Sequence, residues 1–491
     1  MITRDYRRLL IYLIGVTTGF RLIYINLVPL VPQEAYYWKY AKHLALSYLD
    51  HPPLTAYTIA FFTWIGGDNV FFVRLGAVIF STGLAILGYA IANRLFKDQR
   101  WALVTVLTMN CTIIFSVGSV IITPDVPLLF FWALSVYSLV RLQESAHCKW
   151  WYLAGVGVGL GLLSKYSAIL IVPGIFMHVL LSRSQRKWLL TVHPYLGLAV
   201  ACLIFSPVIV WNYQNDWASL VFQFPNRFSH MTRLGLDHVF QLFLTQLGLL
   251  TPYVFFFTFI GWFQAGWLSV REHNEKYSLL FWMASPVYVI FGLASLTSLV
   301  KMNWLAPAYI TSIIAGIVWL NSARTKLSSL FRRCFRPGLI LGLGMVLLTH
   351  LLPVTPILPM RRDDTWTGWK ELAAHVMRIK QEMGEGAFIF SHEYGIPSEI
   401  TFHTPDHEPT YSREIIGEDG LQYDYWTNTG ELIGRNAIFV TGDAHRYRNI
   451  DRIRESFDLV EEAAPLKIVH GGRVFRIFYI YRCYGYTGPA S

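Results

Sequence analysis

Along most of this chain apolar residues come in long blocks, not at the alternating or helical spacing of a soluble protein. A bilayer span needs roughly 20 consecutive apolar residues. Segments 8–30, 69–93, 101–120, 124–142, 191–211, 236–268, 276–299, 303–320 and 337–355 are candidates by that measure. The apolar run from Pro52 to Ile65 is too short to cross and reads as a helix lying on or dipping into the interface. Trp150 to Leu181 is either one long helix or two short arms broken at Ser164-Lys165-Tyr166. Beyond Pro356 the pattern changes. Residues 366–383 predict an amphipathic helix, and the runs AFIF, AIFV, LKIV and VFRIFYIY predict strands.

Charge settles the ambiguous segment. With Arg4, Arg7 and Arg8 inside, alternate crossings return Arg94, Lys97, Arg100, Arg141 and Lys149 to the cytoplasm, as the positive-inside rule requires. A single crossing at 150–181 would export Arg183, Arg186, Lys187 and the basic cluster from Arg324 to Arg336, whereas a hairpin keeps them all inside. The expectation is an all-α polytopic membrane protein with about 11 spans and a small C-terminal α/β domain. The membrane part covers 1–355 with a large first outer loop at 31–68, and 356–491 forms the extracytoplasmic domain. Each hairpin arm is about 15 residues, or roughly 22 Å, so the Lys165 tip is expected in a cavity below the outer surface.

Composition agrees: 54% of the 491 residues are hydrophobic and only 15% charged, too apolar for a soluble core. The net charge of +10 sits largely in short loops between spans, which makes it a topology signal and excludes nucleic acid as a partner. The five cysteines are scattered and imply neither a disulfide framework nor a cysteine zinc site. No cleavable leader is evident, because the first apolar stretch is long enough to span.

This topology gathers polar residues on one face. Pro32–Pro53, PQEAYYWKYAKHLALSYLDHPP, carries Glu34, Asp50 and His51 among aromatics; read alone, it fits either an amphipathic surface helix or a site. Glu34 opens a helix, where it either accepts a proton or simply complements the helix dipole. Asp125 follows Pro124 at the start of a span and has the same two readings. Asp50-His51 is either a ligand pair or a turn ahead of Pro52-Pro53. Lys165, Arg227 and Lys301 face the same compartment and either bind a phosphate or snorkel to headgroups. Acids with cations on one wet membrane face suit a phosphate-bearing substrate and a hydroxyl that must lose its proton.

The motifs Glu34-Ala-Tyr-Tyr-Trp, Asp50-His-Pro-Pro-Leu, Thr123-Pro-Asp-Val-Pro-Leu, Leu163-Ser-Lys-Tyr-Ser-Ala, Phe205-Ser-Pro-Val-Ile-Val-Trp-Asn and Asn303-Trp-Leu-Ala-Pro-Ala-Tyr occur in the order found in one family. Over about residues 1–320 the chain resembles the bacterial protein-mannosyltransferase-like glycosyltransferases of the GT-C membrane fold, including those that modify lipid A. The resemblance implies sugar transfer, with inversion, from a polyprenyl-phosphate donor to a non-cytoplasmic acceptor. It makes Glu34 and Asp125 the catalytic candidates, and Lys165, Arg227, Lys301 and His51 the donor-phosphate contacts. Tyr37, Tyr166 and Asn303 become substrate contacts. Asp50 matches an acid that in one relative looks to hold a divalent ion. Two departures stand out: Gln33-Glu34 replaces an Asp-Glu pair, and His51 stands where aminoarabinose-transferring relatives have lysine.

The implied protein is an inner-membrane glycosyltransferase with its N-terminus cytoplasmic and its C-terminal domain periplasmic. Its partners would be an undecaprenyl-phosphate sugar, lipid A or lipopolysaccharide core, and membrane lipids. A protein O-mannosyltransferase is the rival acceptor class. A lipid-sugar flippase is the rival outside enzymes, but it calls for internal repeats that the sequence lacks. An inactive binding subunit would fit the missing first acid.

Overall fold

The computed structural model describes residues 5–223, 235–322, 325–355, 365–384, 386–442 and 450–490. Among them six helices are long and apolar enough to cross a membrane: Val70–Phe96, Asp125–Ser145, His193–Gln214, Pro252–Arg271, Glu275–Ala294 and Lys326–Val354. Leu54–Gly66, Tyr166–Leu181 and Ala306–Ser322 are shorter apolar helices. The chain packs as two compact units. One comprises 1–25, 45–58 and 74–350; the other comprises 26–44, 59–73 and 351–491.

In the first unit the predicted hairpin is present, and three contacts trace it. Trp150 Nε1 donates to Ser145 Oγ at 2.9 Å, so helix Lys149–Ser164 starts beside the end of Asp125–Ser145. At its far end Lys165 meets Asp125, and Gln143 then meets His178 at 2.8 Å, so the chain has turned back along the same helix. Lys165 itself is extended, with φ −158° and ψ 137°, between Ser164 and a 3₁₀ turn at Tyr166–Leu170.

Several blocks that read as single segments are broken. Segment 236–268 divides at Thr251, whose φ of 67° ends Asp237–Leu250 before Pro252 starts a new helix. Segment 101–120 divides into Gln99–Asn110 and Ile113–Val117 where Thr112 Oγ1 caps back onto the Met109 carbonyl. Segment 276–299 is interrupted at Met283-Ala284, ahead of Pro286, within the Glu275–Ala294 span. Hydropathy averages over such breaks, because residues on either side remain apolar.

Helix Ala306–Ser322 is the unit's centre, buried continuously from Ala306 to Leu320. Small residues let the helices approach at backbone distance: a Cβ on Gly261 would lie 2.3 Å from Gly316 Cα, and one on Gly155 would lie 2.1 Å from the Gly197 carbonyl oxygen. Gly155→Val is therefore expected to cost about 1–3 kcal/mol or more through overpacking, read as a lower thermal midpoint in detergent.

The second unit holds a six-stranded sheet: β1 (Phe388–Phe390), β2 (Thr410–Tyr411), β3 (Ala437–Thr441), β4 (Phe457–Glu462), β5 (Leu466–His470) and β6 (Arg473–Tyr486). The order is β2-β1-β3-β6-β4, with β5 on β6; β1 is parallel to β2 and β3, and the other pairs are antiparallel. Alternation divides the side chains cleanly. Ile389, Ile438, Val440 and Ile480 pack with helices Trp369–Met383 and Gly395–His403, while Phe388, Phe390, Phe439 and Cys483 pack with Ile415, Ile416 and Ile453.

Helix Pro32–Lys42 belongs to this unit and is not a surface helix, for Glu34 to Ala41 are all buried. Its contacts explain the aromatic run. Pro32 lies against Gly395, Trp38 packs edge-on against Phe402, and Tyr36 Oη accepts the Gln422 N–H at 3.1 Å.

Candidate active site

In the first unit, three of the sequence candidates converge. Asp125 opens helix Asp125–Ser145, its turn set by Pro124, and its two oxygens take different donors. Lys165 Nζ donates to Oδ1 at 2.7 Å, and Asn303 Nδ2 donates to Oδ2 at 2.6 Å. The Asp125 and Lys165 side chains are each 12% exposed, so the pair is mostly withdrawn from water but still reachable. Its geometry follows from local structure: the hairpin break projects Lys165, and the turn in which Trp304 N–H donates to the Lys301 carbonyl projects Asn303. A carboxylate has about four lone-pair sites, so two donors leave it able to accept more.

Other candidates sit around the hairpin tip or in the loop next to Asn303. Tyr166 Oη and Ser219 Oγ are 2.5 Å apart. Gln223 Nε2 donates to the Asp50 backbone carbonyl at 2.6 Å, which ties the first loop to helix Ala218–Gln223. His51 follows Asp50 and is half-buried, whereas Lys301 is exposed two residues before Asn303. Arg227 lies outside the described residues. No group of three or more His, Cys, Asp or Glu side chains surrounds Asp50 or any other point among the described residues. A divalent ion at Asp50 would take its remaining ligands from backbone oxygens, water or a substrate phosphate.

Glu34 and Tyr37 lie in the second unit. Glu34 is fully buried and its Oε2 accepts the Val31 N–H at 3.1 Å, the carboxylate half of a capping box. Tyr37 is 7% exposed and packs edge-on against Tyr40.

Sequence reasoning missed Lys39 altogether. Its ammonium is buried against Thr410, donating to the backbone carbonyl at 2.7 Å and to Oγ1 at 3.3 Å, and it lies 4.2 Å from the centre of the Tyr423 ring. Burial pushes its pKa down to about 7, with Glu414 pulling the other way. The unfolded chain keeps the ordinary value of 10.5, so between that and about 7 it binds more protons than the folded chain. Stability of the second unit should therefore fall as pH drops through this window, by a few kcal/mol at most, and level off below about 7. Its unfolding midpoint is expected to rise between pH 7 and 9, and Lys39→Met should flatten that slope. A slope unchanged in Lys39→Met would assign it to another group.

The class is a mostly helical polytopic membrane protein with a small mixed-sheet unit at its C-terminus. Residues 50–211 match the family described as dolichyl-phosphate-mannose-protein mannosyltransferase. The chain is 27% identical to the lipid A galacturonosyltransferase RgtD of Rhizobium johnstonii over 58% of this chain and 59% of that protein. It is 26% identical to the undecaprenyl phosphate-alpha-4-amino-4-deoxy-L-arabinose arabinosyl transferase of Serratia proteamaculans over 64% of this chain and 58% of that one. The matched segments thus span under two thirds of these relatives' lengths. In fold it is similar to ArnT from Cupriavidus metallidurans in the apo state, with a TM-score of 0.65, 14% identity and 98% of both chains covered. The same protein bound to undecaprenyl phosphate matches with a TM-score of 0.63 at 14% identity over 98% of each chain.

Proposed function

We propose that this protein is an inverting glycosyltransferase that moves a sugar from an undecaprenyl-phosphate donor to lipid A or lipopolysaccharide core. The observation that carries the reading is the Asp125–Lys165–Asn303 cluster, a carboxylate and a cation placed together at the tip of a membrane hairpin. The relatives' printed activities support the lipid donor and lipid A acceptor. In this proposal the cluster faces the periplasm, the N-terminus is cytoplasmic, and the C-terminal unit lies outside the cell membrane.

The acceptor hydroxyl attacks the anomeric carbon as the bond from that carbon to the phosphate oxygen breaks. Its proton passes to a carboxylate, and the electron pair leaves on undecaprenyl phosphate. Asp125 suits the base role better than Glu34, because Glu34 is fully buried and spends one oxygen on its own helix start. Lys165 meets the charge that develops on the departing phosphate, with Lys301, Arg227 and His51 as further contacts. Tyr166 and Asn303 line the same site, and Tyr37 stiffens the first loop.

The test supplies purified protein in nanodiscs with lipid A and undecaprenyl-phosphate-linked aminoarabinose or galacturonic acid, and reads lipid A by mass spectrometry. A mass increment equal to one sugar residue is expected with one of the donors. Sugar appearing instead on protein would move the acceptor to the protein O-mannosyltransferase class. In proteoliposomes, donor crossing the bilayer intact with no transfer would replace the enzyme by a flippase.

A further inference from the structure

We infer that Gln246 and Tyr309, buried in the first unit and absent from the sequence candidates, are positioning residues that hold Asn303 in register with Asp125. The inference rests on the functional reading above for its kinetic arm only.

Gln246 lies on helix Asp237–Leu250 and is 1% exposed. Its Nε2 donates to the Met302 backbone carbonyl at 3.0 Å, one residue before Asn303. Its Oε1 accepts the Tyr309 O–H at 2.7 Å, and Tyr309 is fully buried on the central helix Ala306–Ser322. The hydrogen bonds thus run from a rigid helix through one carboxamide to the loop that carries Asn303, and from Asn303 to the Asp125 carboxylate that also receives Lys165.

The chemistry of the carboxamide makes this more than packing. An amide has a donor end and an acceptor end that are nearly equal in shape, so a neighbour must decide which way it points. The Met302 carbonyl can only accept, which turns the NH₂ towards it and leaves the oxygen to take the Tyr309 O–H. A phenylalanine in place of Tyr309 would leave the buried carboxamide oxygen without this donor and Gln246 held by the Met302 carbonyl. Within the loop, Trp304 N–H reaches the Lys301 carbonyl at 3.1 Å, Ala306 N–H reaches the Asn303 carbonyl at 3.2 Å, and the Trp304 ring packs against Phe291. Both bonds fix the turn internally, and Gln246 joins it to helix Asp237–Leu250.

Gln246→Met keeps the length and removes both hydrogen bonds, while Tyr309→Phe removes only the bond to the carboxamide oxygen. Both are compared with Asn303→Ala and with the Gln246→Met/Asn303→Ala double variant in nanodiscs. The first readout needs no substrate: amide exchange across 299–306 is expected to speed up in Gln246→Met and, less strongly, in Tyr309→Phe, with protection of the central helix retained. The second readout is kinetic, and Gln246→Met should lower kcat about 10-fold, the worth of one lost buried hydrogen bond, with KM for the lipid donor nearly unchanged. In the double variant the losses should overlap rather than multiply, since both act through Asn303. A merely structural glutamine would lower the thermal midpoint and multiply with Asn303→Ala. Unchanged exchange at 299–306 in Gln246→Met overturns the inference, as does a multiplicative double variant. If wild-type protein transfers no sugar, the functional reading fails alone and the exchange result decides the positioning role.

Discussion

Asp125→Asn is expected to lower sugar transfer by about 10³-fold while the protein stays folded, which is the mid-range loss for removing a general base. The substitution is nearly isosteric, so helix Asp125–Ser145 keeps its first turn and one oxygen still faces a donor. What is lost is the charge that both draws Lys165 in at 2.7 Å and accepts the proton of the acceptor hydroxyl. Glu34→Gln is the informative control. Glutamine serves in a capping box nearly as well as glutamate, so helix Pro32–Lys42 should persist and the rate should change far less than in Asp125→Asn. Initial rates at saturating donor, with folding checked by thermal midpoint, separate the two carboxylates. A large loss in Glu34→Gln with a near-normal rate in Asp125→Asn would hand the base role to Glu34.

The hairpin is the part of the fold that was most legible, and charge made it so. Lipid-facing hydrophobicity cannot distinguish one 32-residue helix from two short arms, but the loops beyond it carry arginines and lysines whose side of the membrane depends on the answer. The return contacts of Gln143 with His178 agree with that choice. The amphipathic helix was legible because one buried face imposes a period, and strands such as Phe388–Phe390 and Ala437–Thr441 because burial on both faces makes them short continuous apolar runs. The strands that went unseen, Thr410–Tyr411 and Phe457–Glu462, are too short or too polar to show one.

Helix Pro32–Lys42 was misleading for a related reason. Its charged and aromatic residues look amphipathic, yet eight consecutive residues are buried, and no periodicity can announce a helix enclosed on every side. Lys39 is the clearest case, because a lysine is read as surface unless its acceptors are known, and those acceptors lie on Thr410, far along the chain. Gln246 was invisible in the same way. In an apolar segment one glutamine is unremarkable until the fold brings Met302 and Tyr309 to its two ends.

Lys165→Met is expected to lower transfer by about 10²–10³-fold, comparable with removing a preorganised charge that meets a developing anion. Two roles for this lysine predict different outcomes in a second variant. If Lys165 serves only to balance Asp125, then Asp125→Asn/Lys165→Met removes both charges together and should transfer no more slowly than Asp125→Asn. If the ammonium also meets the departing phosphate, the double variant falls below either single one, because the leaving group has lost its cation as well as the acceptor its base. The second outcome is expected, since a 12%-exposed lysine at the hairpin tip has donors to spare beyond the one given to Asp125. Lys165→Arg should not restore activity, as a planar guanidinium cannot occupy the space of a compact ammonium between the hairpin and Asp125 without turning the carboxylate away from Asn303. Binding of undecaprenyl phosphate without sugar, followed by native mass spectrometry, adds a direct measure: affinity should drop in Lys165→Met and hold in Glu34→Gln. Equal affinity in wild type and Lys165→Met would confine the lysine to its pairing with Asp125.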